Sequence, residues 1–196
     1  MNQAQFKELL LQSLEHERGG VKVYETALKC ALNEDLKEEW ERYLAETERH
    51  VLILQDLFMA LQLDPEGKSA GREIVHGLGT ALIVAMDRAL SGGSPEAAQL
   101  VACECVVLAE TKDHLDWELI GEAAKKLRAE DGKAVKQAYN EVEDQEDEHL
   151  YHTKGWCREL WMESLGMKAM LPPPEERKHV KTAIGAARAQ QSRKAH

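Results

Sequence analysis

The sequence predicts an all-α fold built as a bundle of four long helices. Ala, Leu, Glu, Lys and Gln fill most positions, alternating β-branched runs are absent, and apolar residues recur at spacings of three and four over four long segments. Each segment would form a helix of about 40 Å, and four amphipathic helices of matched length pack most readily as a four-helix bundle. The 196 residues are enough for one domain with a sizeable core.

Turn and cap residues mark where each helix begins and ends. The first predicted helix stops near Asn33, and the second stops ahead of the turn residues 64–67. The third begins at Ser94-Pro95, an N-cap serine followed by proline at the first helical position. The fourth follows Asp131-Gly132. The predicted helices are residues 4–32, 35–62, 95–129 and 133–166.

Two segments lie outside these four helices. Residues 72–90 predict an extra helix, apolar around most of its surface, in the crossover between the second and third helices. Such a helix must be covered by the bundle or by another subunit. After Pro172 a basic C-terminal tail begins, predicted as helical; its last 22 residues, 175–196, hold six Lys or Arg and two Glu. The expected domain is therefore residues 1–171, followed by a tail at 172–196.

Charge and hydropathy exclude several classes of function. The net charge of −10 argues against nucleic acid as a partner. The most apolar window, residues 82–86, is too short to span a membrane and is followed by Asp87 and Arg88. The N-terminus has no secretory pattern, and the four cysteines form no C-x-x-C pair. We expect a reduced, soluble, cytoplasmic protein that does not bind membranes.

The most informative feature is a set of ionisable residues that interrupts all four apolar stripes near mid-helix. Carboxylates that converge in one core would repel each other, and a pair of divalent cations would supply the compensating charge. Carboxylate oxygens and imidazole nitrogens suit iron or manganese. On the fourth helix, Glu146-x-x-His149 places both groups on one face. The interrupting residues are Glu17, His50, Glu110, Glu146 and His149, with His114 one turn after Glu110.

Residues 4–166 resemble the ferritin-like superfamily, which includes ferritins, bacterioferritins and rubrerythrins. In these proteins two helices supply one Glu each and two supply Glu-x-x-His. Glu17 followed seven residues later by Tyr24, and Glu110 followed by Trp117, give the two halves of the chain a degenerate repeat. The resemblance implies the metal ligands Glu17, Glu46, His50, Glu110, Glu146 and His149, with Tyr24, Trp117 and His114 surrounding them.

One position departs from the family pattern. Thr47 stands three residues before His50, where the family has Glu. Glu46, four residues before His50, still shares its face and is one candidate to bridge in place of the missing ligand. The other interpretations are a site with one strongly bound metal, a site with none, or a contribution from His114.

The resemblance implies a dinuclear carboxylate-bridged centre, with two iron ions per chain and manganese as the other suitable metal. Oxidase, peroxidase or ferroxidase-like activity on oxygen or peroxide would follow. Two alternatives stay open: a metal-free or single-metal helical scaffold or stress protein, supported by Thr47, and an oligomeric metal-storage protein. The apolar extra helix also predicts a homo-oligomer, a dimer or larger. The sequence assigns no catalytic residue.

Overall fold

The computed structural model describes residues 1–127 and 129–170, which form five α-helices and no strand. The prediction of an all-α fold is confirmed, and the extra helix expected over 72–90 is present. The predicted tail at 172–196, with Leu171, lies outside the described residues. The helices are α1 (Gln3–Cys30), α2 (Glu34–Ala60), α3 (Ala70–Gly92), α4 (Pro95–Ala124) and α5 (Ala129–Ser164).

Side-chain caps fix the helix starts. The Asn33 side chain accepts a hydrogen bond from the backbone N–H of Leu36 and begins α2, and Ser94 caps α4 with Pro95 as its first residue. Gln99 Oε1 accepts hydrogen bonds from the backbone N–H groups of Leu32 and Asn33, at 2.7 and 2.8 Å. This amide ties the α1–α2 turn to α4, so it fixes the relative heights of three helices.

The α4–α5 boundary differs from the prediction, which carried the third bundle helix to 129 and began the fourth at 133. Helix α4 ends at Ala124, and α5 begins at Ala129. Glu130 and Asp131 occupy the first turn of α5, where exposed backbone N–H groups favour carboxylates. The Asp131-Gly132 pair therefore belongs to a helix start. A Cβ at Gly132 would lie 3.0 Å from the Leu127 carbonyl oxygen, so glycine allows this close approach.

Helices α1, α2, α4 and α5 form the bundle. Helix α1 packs against α2 and α4, and α5 packs against the same two helices. Helix α3 lies outside, on α1 and α4. It runs parallel to α1: Ser69, its cap, bonds Glu8, and Met86 near its end packs in one cluster with Ala27. Helix α3 thus returns the chain along the bundle from the end of α2 to the start of α4.

The core consists of two apolar clusters. One surrounds Trp40, Tyr43 and Trp156, and the other surrounds Leu10, Phe58 and Trp117. The mid-helix ionisable residues of the four bundle helices lie between these clusters. The bundle therefore presents a polar layer enclosed by apolar packing above and below.

Candidate metal centre

The polar layer brings together five predicted ligands, one from each of α1, α2 and α4 and two from α5. Their exposed fractions are between 0 and 3%. Helical spacing places them, because each occupies a core-stripe position at about the same height. The residues are Glu17, His50, Glu110, Glu146 and His149.

Two overlapping groups of ligand atoms form within this layer. In the first, His50 Nδ1 lies 3.0 Å from Glu146 Oε1 and 3.5 Å from Glu17 Oε1. In the second, His149 Nδ1 lies 3.6 Å from Glu110 Oε2 and 3.7 Å from Glu146 Oε1. In each group one ligand atom from each residue lies within 4.8 Å of the others. Glu146 belongs to both groups, so its carboxylate is placed to bridge two ions.

Six polar atoms of these five side chains form no hydrogen bond of normal geometry in the described chain. Both oxygens of Glu146, one oxygen each of Glu17 and Glu110, and Nδ1 of His50 and of His149 are buried with no hydrogen-bond partner in the described chain. Buried polar atoms in proteins are nearly always paired. Unpaired acceptors that converge on common points are the arrangement a bound cation would complete.

The outer nitrogens of both histidines are held by acceptors. His50 Nε2 lies 2.8 Å from Gln145 Oε1, and His149 Nε2 lies 2.8 Å from Glu46 Oε2. Acceptors at Nε2 hold a proton on that nitrogen and turn Nδ1 toward the cluster, where it can offer a lone pair to an ion once its own proton is lost. Such outer partners orient metal-ligating histidines in proteins.

Glu46, one candidate for a bridging ligand, lies on the outer side of the His149 ring. Its Oε2 contacts the far side of the His149 ring, its Oε1 lies 3.5 Å from an Arg42 nitrogen, and its side chain is 19% exposed. Thr47 is buried at the family's Glu position, 2% exposed, with its methyl group 3.3 Å from where a Gly20 Cβ would lie. The i, i+4 relationship to His50 places Glu46 on the rim of the layer because the intervening turn rotates it outward.

The two predicted aromatic residues contact the two single glutamates. Trp117 Nε1 donates a 2.7 Å hydrogen bond to Glu17 Oε1, and the Tyr24 hydroxyl donates one of 2.7 Å to Glu110 Oε1. Each bond engages one oxygen of its carboxylate and leaves the second buried without a hydrogen-bond partner in the described chain. The degenerate repeat in the sequence therefore corresponds to two equivalent hydrogen bonds, each from the aromatic residue of one half to the glutamate of the other.

His114 lies away from the five-residue cluster. Its Nε2 is 2.7 Å from Asp147 Oδ1, and its side chain is 24% exposed. It lines a cleft of about 160 Å³ between α4 and α5, together with Glu118, Glu143 and Asp147. Glu146 lines the same cleft, so this acidic opening reaches a residue of the cluster.

Electrostatics in the layer follow from burial and from opposite charges. Burial disfavours an imidazolium, but Glu17 and Glu146 outweigh it and raise the pKa of His50 to about 11. Burial also disfavours the charged form of His149, but Glu110 and Glu46 outweigh it and raise the pKa of His149 to about 9. Burial, partly offset by His50, raises the pKa of Glu146 to about 7. Without an ion, two protonated histidines therefore supply the positive charge.

Two residues at the layer were not predicted. Asp113 is buried, and one of its oxygens has no hydrogen-bond partner among the described residues. Burial, followed by the charges of Glu17 and Glu146, raises its pKa well above the usual range. Asp113 could have been predicted from the sequence, because it lies three residues after Glu110 and therefore on the same face of α4. The contact of Gln145 with His50 could not, because it depends on how α5 is rotated about its axis.

A second polar network adjoins the layer on the side of the Trp40 cluster. The carboxylate of Glu39 accepts hydrogen bonds from the Tyr43 hydroxyl at 2.5 Å and from Trp156 Nε1 at 2.6 Å, and it contacts His152 Nδ1. The Tyr43 ring lies 4.2 Å from that of His149. A third group that could hold a metal ion consists of Glu39, Glu148 and His152. In this group the guanidinium of Arg42 already pairs with Glu148.

Comparison of the chain with protein-family models, with curated proteins and with solved structures found no match.

Proposed function

We propose that this chain is a ferritin-like dinuclear metal protein that binds iron and acts as an oxidase, peroxidase or ferroxidase-like enzyme. One observation carries the proposal. Five buried side chains form two overlapping groups whose ligand atoms lie within 4.8 Å of one another, and six polar atoms of these side chains have no hydrogen-bond partner in the described chain.

The chemistry of the donors fits two divalent ions. Glu17 and His50 would hold one ion, Glu110 and His149 the other, and Glu146 would bridge them. Three carboxylates and two imidazoles are a hard, oxygen-rich set that suits Fe(II) and Mn(II) better than softer metals. Three protein ligands for each ion also leave positions open for a small substrate.

The way in which the predicted ligands are divided among the four bundle helices supports the ferritin-like assignment. Helices α1 and α4 each give one Glu, α5 gives Glu-x-x-His, and α2 gives a His. Asp113 adds a fourth buried carboxylate close enough to interact with Glu17, Glu110 and Glu146. Its raised pKa makes it a protonated acid in the metal-free protein, so it adds a fourth carboxyl group near the layer although Thr47 removes the family's fourth.

A carboxylate-bridged pair of iron ions exchanges electrons with dioxygen or peroxide when it is bound. The residues of this chain would prepare that reaction. Trp117 and Tyr24 orient the single glutamates by hydrogen bonds, Gln145 and Glu46 orient the imidazoles, and the apolar clusters exclude bulk water. The cleft lined by Glu118, Glu143 and Asp147 would attract cations and lead them to Glu146.

A metal-free or single-metal scaffold is the second candidate, and Thr47 favours it. In that case the protonated His50 and His149 would permanently supply the positive charge of the layer. The two candidates differ in whether the polar layer binds Fe(II) and promotes its oxidation.

The test is oxidation of Fe(II) by the full-length protein. Metal-free protein is loaded anaerobically with two equivalents of Fe(II) and exposed to oxygen or to hydrogen peroxide, and Fe(III) formation is followed by absorbance. We expect oxidation much faster than in buffer, and its loss in Glu146→Ala. The matched control is Glu130→Ala, an exposed change on the same helix. Oxidation no faster than in buffer would support the scaffold.

A further inference from the structure

Helix α3 carries an apolar face that the described chain leaves uncovered. It buries Val75 and Met86 against α1 and α4. Away from the bundle it exposes Val84, opposite the buried Val75 and Met86, and beside it Ile74 and Leu78, by 40, 64 and 55%. From Ile74 to Met86 the helix contains no Asp, Glu, Lys or Arg. A continuous apolar surface of this kind marks a contact site.

The inner side of α3 is closely packed, whereas the outer side is open. A Cβ at Gly79 would lie 3.7 Å from the Cα of Gly19, so α3 and α1 approach closely there. A Cβ at Gly77, on the outer side, would meet no described atom within 4 Å. Helix α3 is therefore held firmly in place and presents its other face outward.

We propose that this outer face binds the same face of a second copy, with the two α3 helices antiparallel about a two-fold axis between Thr80 and Ala81. The register follows from self-complementarity. In an antiparallel pair, each residue lies opposite the partner residue at the same distance on the other side of the axis. Gly77 therefore lies opposite the partner's Val84, so the space left by the glycine receives the valine side chain. At 3.6 residues per turn, Glu73, Gly77, Val84 and Arg88 lie within about 30° of one line on this side of the helix.

Charge complementarity supports this pairing. In the same register Glu73 of each copy faces the partner's Arg88, which gives two symmetric ion pairs. Both residues are exposed, and neither forms an ion pair with any other residue that the structure describes. Opposite charges at the two ends of an apolar stripe fix an antiparallel register and disfavour a parallel one.

A lipid bilayer fits the face less well. Helix α3 is the one described helix long and apolar enough, by length and composition, to cross a membrane. Its stretch without charged residues is only about 20 Å long, shorter than the ~30 Å hydrocarbon core. Arg72 and Glu73 at one end, and Asp87 and Arg88 at the other, would lie inside that core.

The test is a charge swap read by sedimentation equilibrium of the full chain. Glu73→Arg and Arg88→Glu should each raise the dimer dissociation constant about tenfold, since two pairs become repulsive. The double variant Glu73→Arg/Arg88→Glu should restore wild-type dimerisation. Gly77→Arg should give a folded monomer, because a Cβ at this position meets no described atom within 4 Å. Leu52→Arg, on the exposed surface of α2, should leave the dimer intact.

Three results would overturn the proposal. They are a wild-type protein that is monomeric at tens of micromolar, a dimer unchanged by Gly77→Arg, and a double swap that is no tighter than the single variants. A monomer that co-sediments with phosphatidylcholine–phosphatidylglycerol vesicles would assign the face to a membrane instead. The proposal does not depend on the metal centre.

Discussion

Glu46 and His149 meet between α2 and α5, where Glu46 Oε2 lies 2.8 Å from Nε2 of the imidazole. The contact is on the side of the ring away from the cluster, so the carboxylate can hold the ring while Nδ1 faces Glu110 and Glu146. Glu46 thus contacts a proposed ligand and does not itself join the cluster.

Glu46→Gln is expected to weaken metal binding without abolishing it. The amide keeps an acceptor near Nε2 but removes the negative charge that makes His149 basic. Loss of such an outer partner costs about 10–100-fold in metal affinity. Competition with a chelating dye measures the change, and Glu48→Gln, at an exposed site on the same helix, should leave affinity unaltered. Complete loss of one metal ion in Glu46→Gln would instead make Glu46 a ligand.

Thr47→Glu should tighten the binding of the second ion by about tenfold or more, because it adds a second bridging carboxylate. The metal-free variant should melt at a lower temperature than wild type, since it gains a buried charge beside Gly20. Saturation with Mn(II) should reverse that loss. Thr111→Glu, which adds the same charge to an exposed site on α4, is the control. Equal metal affinity in Thr47→Glu and wild type would mean that position 47 does not face the centre.

Metal binding should release between two and three protons per chain at pH 7, because His50 and His149 are protonated without an ion and the pKa of Glu146 is about 7. Affinity should therefore rise with pH, less steeply above about 9, the pKa of His149, and level off above about 11, the pKa of His50. Calorimetry in buffers of different ionisation enthalpy counts the protons. Binding that releases none would show that the histidines are not ligands.

The same shifts predict how the stability of the metal-free protein varies with pH. Both histidines have a folded-state pKa above the ~6.5 of an unfolded chain, so their stabilising effect is complete below that pH. It should decline as pH rises through about 9 for His149 and about 11 for His50. Urea denaturation from pH 6 to 10 measures the decline, and His149→Gln should flatten the part near pH 9.

Gly121→Ala should destabilise the protein, because the added Cβ would lie 2.6 to 2.8 Å from the ring of Tyr139. Overpacking of this kind costs about 1–3 kcal/mol. Gly92→Ala is the matched change, since its Cβ meets no described atom within 4 Å, and it should be neutral or slightly stabilising. Urea denaturation compares them. Equal stability of the two variants would contradict the close α4–α5 packing at this height.

The helical stripes were sufficient to predict the all-α fold and the convergence of five predicted ligands in one layer, because spacings of three and four determine which side of a helix is buried. Details that depend on the rotation of a helix about its axis, or on a local turn, could not be predicted from these spacings. The contacts of Gln145 and Glu46 depend on the angle between α2 and α5. The early start of α5 at Ala129 depends on Glu130 and Asp131 stabilising its first turn. Asp113 was overlooked because α4 and α5 contain many acidic residues, most of them exposed.

The most direct test of the metal centre is the melting temperature of the purified full-length protein, measured with its metal content, before and after chelation and after addition of Fe(II) or Mn(II). We expect two ions per chain. A ligand at a thousandfold excess over its Kd adds ~4 kcal/mol to the free energy of unfolding, so chelation should lower the melting temperature by several degrees and metal should restore it. Glu146→Ala should lose this response, and Glu130→Ala should keep it. A wild-type protein that contains no metal, and whose melting curve neither chelator nor metal moves, would contradict the dinuclear centre.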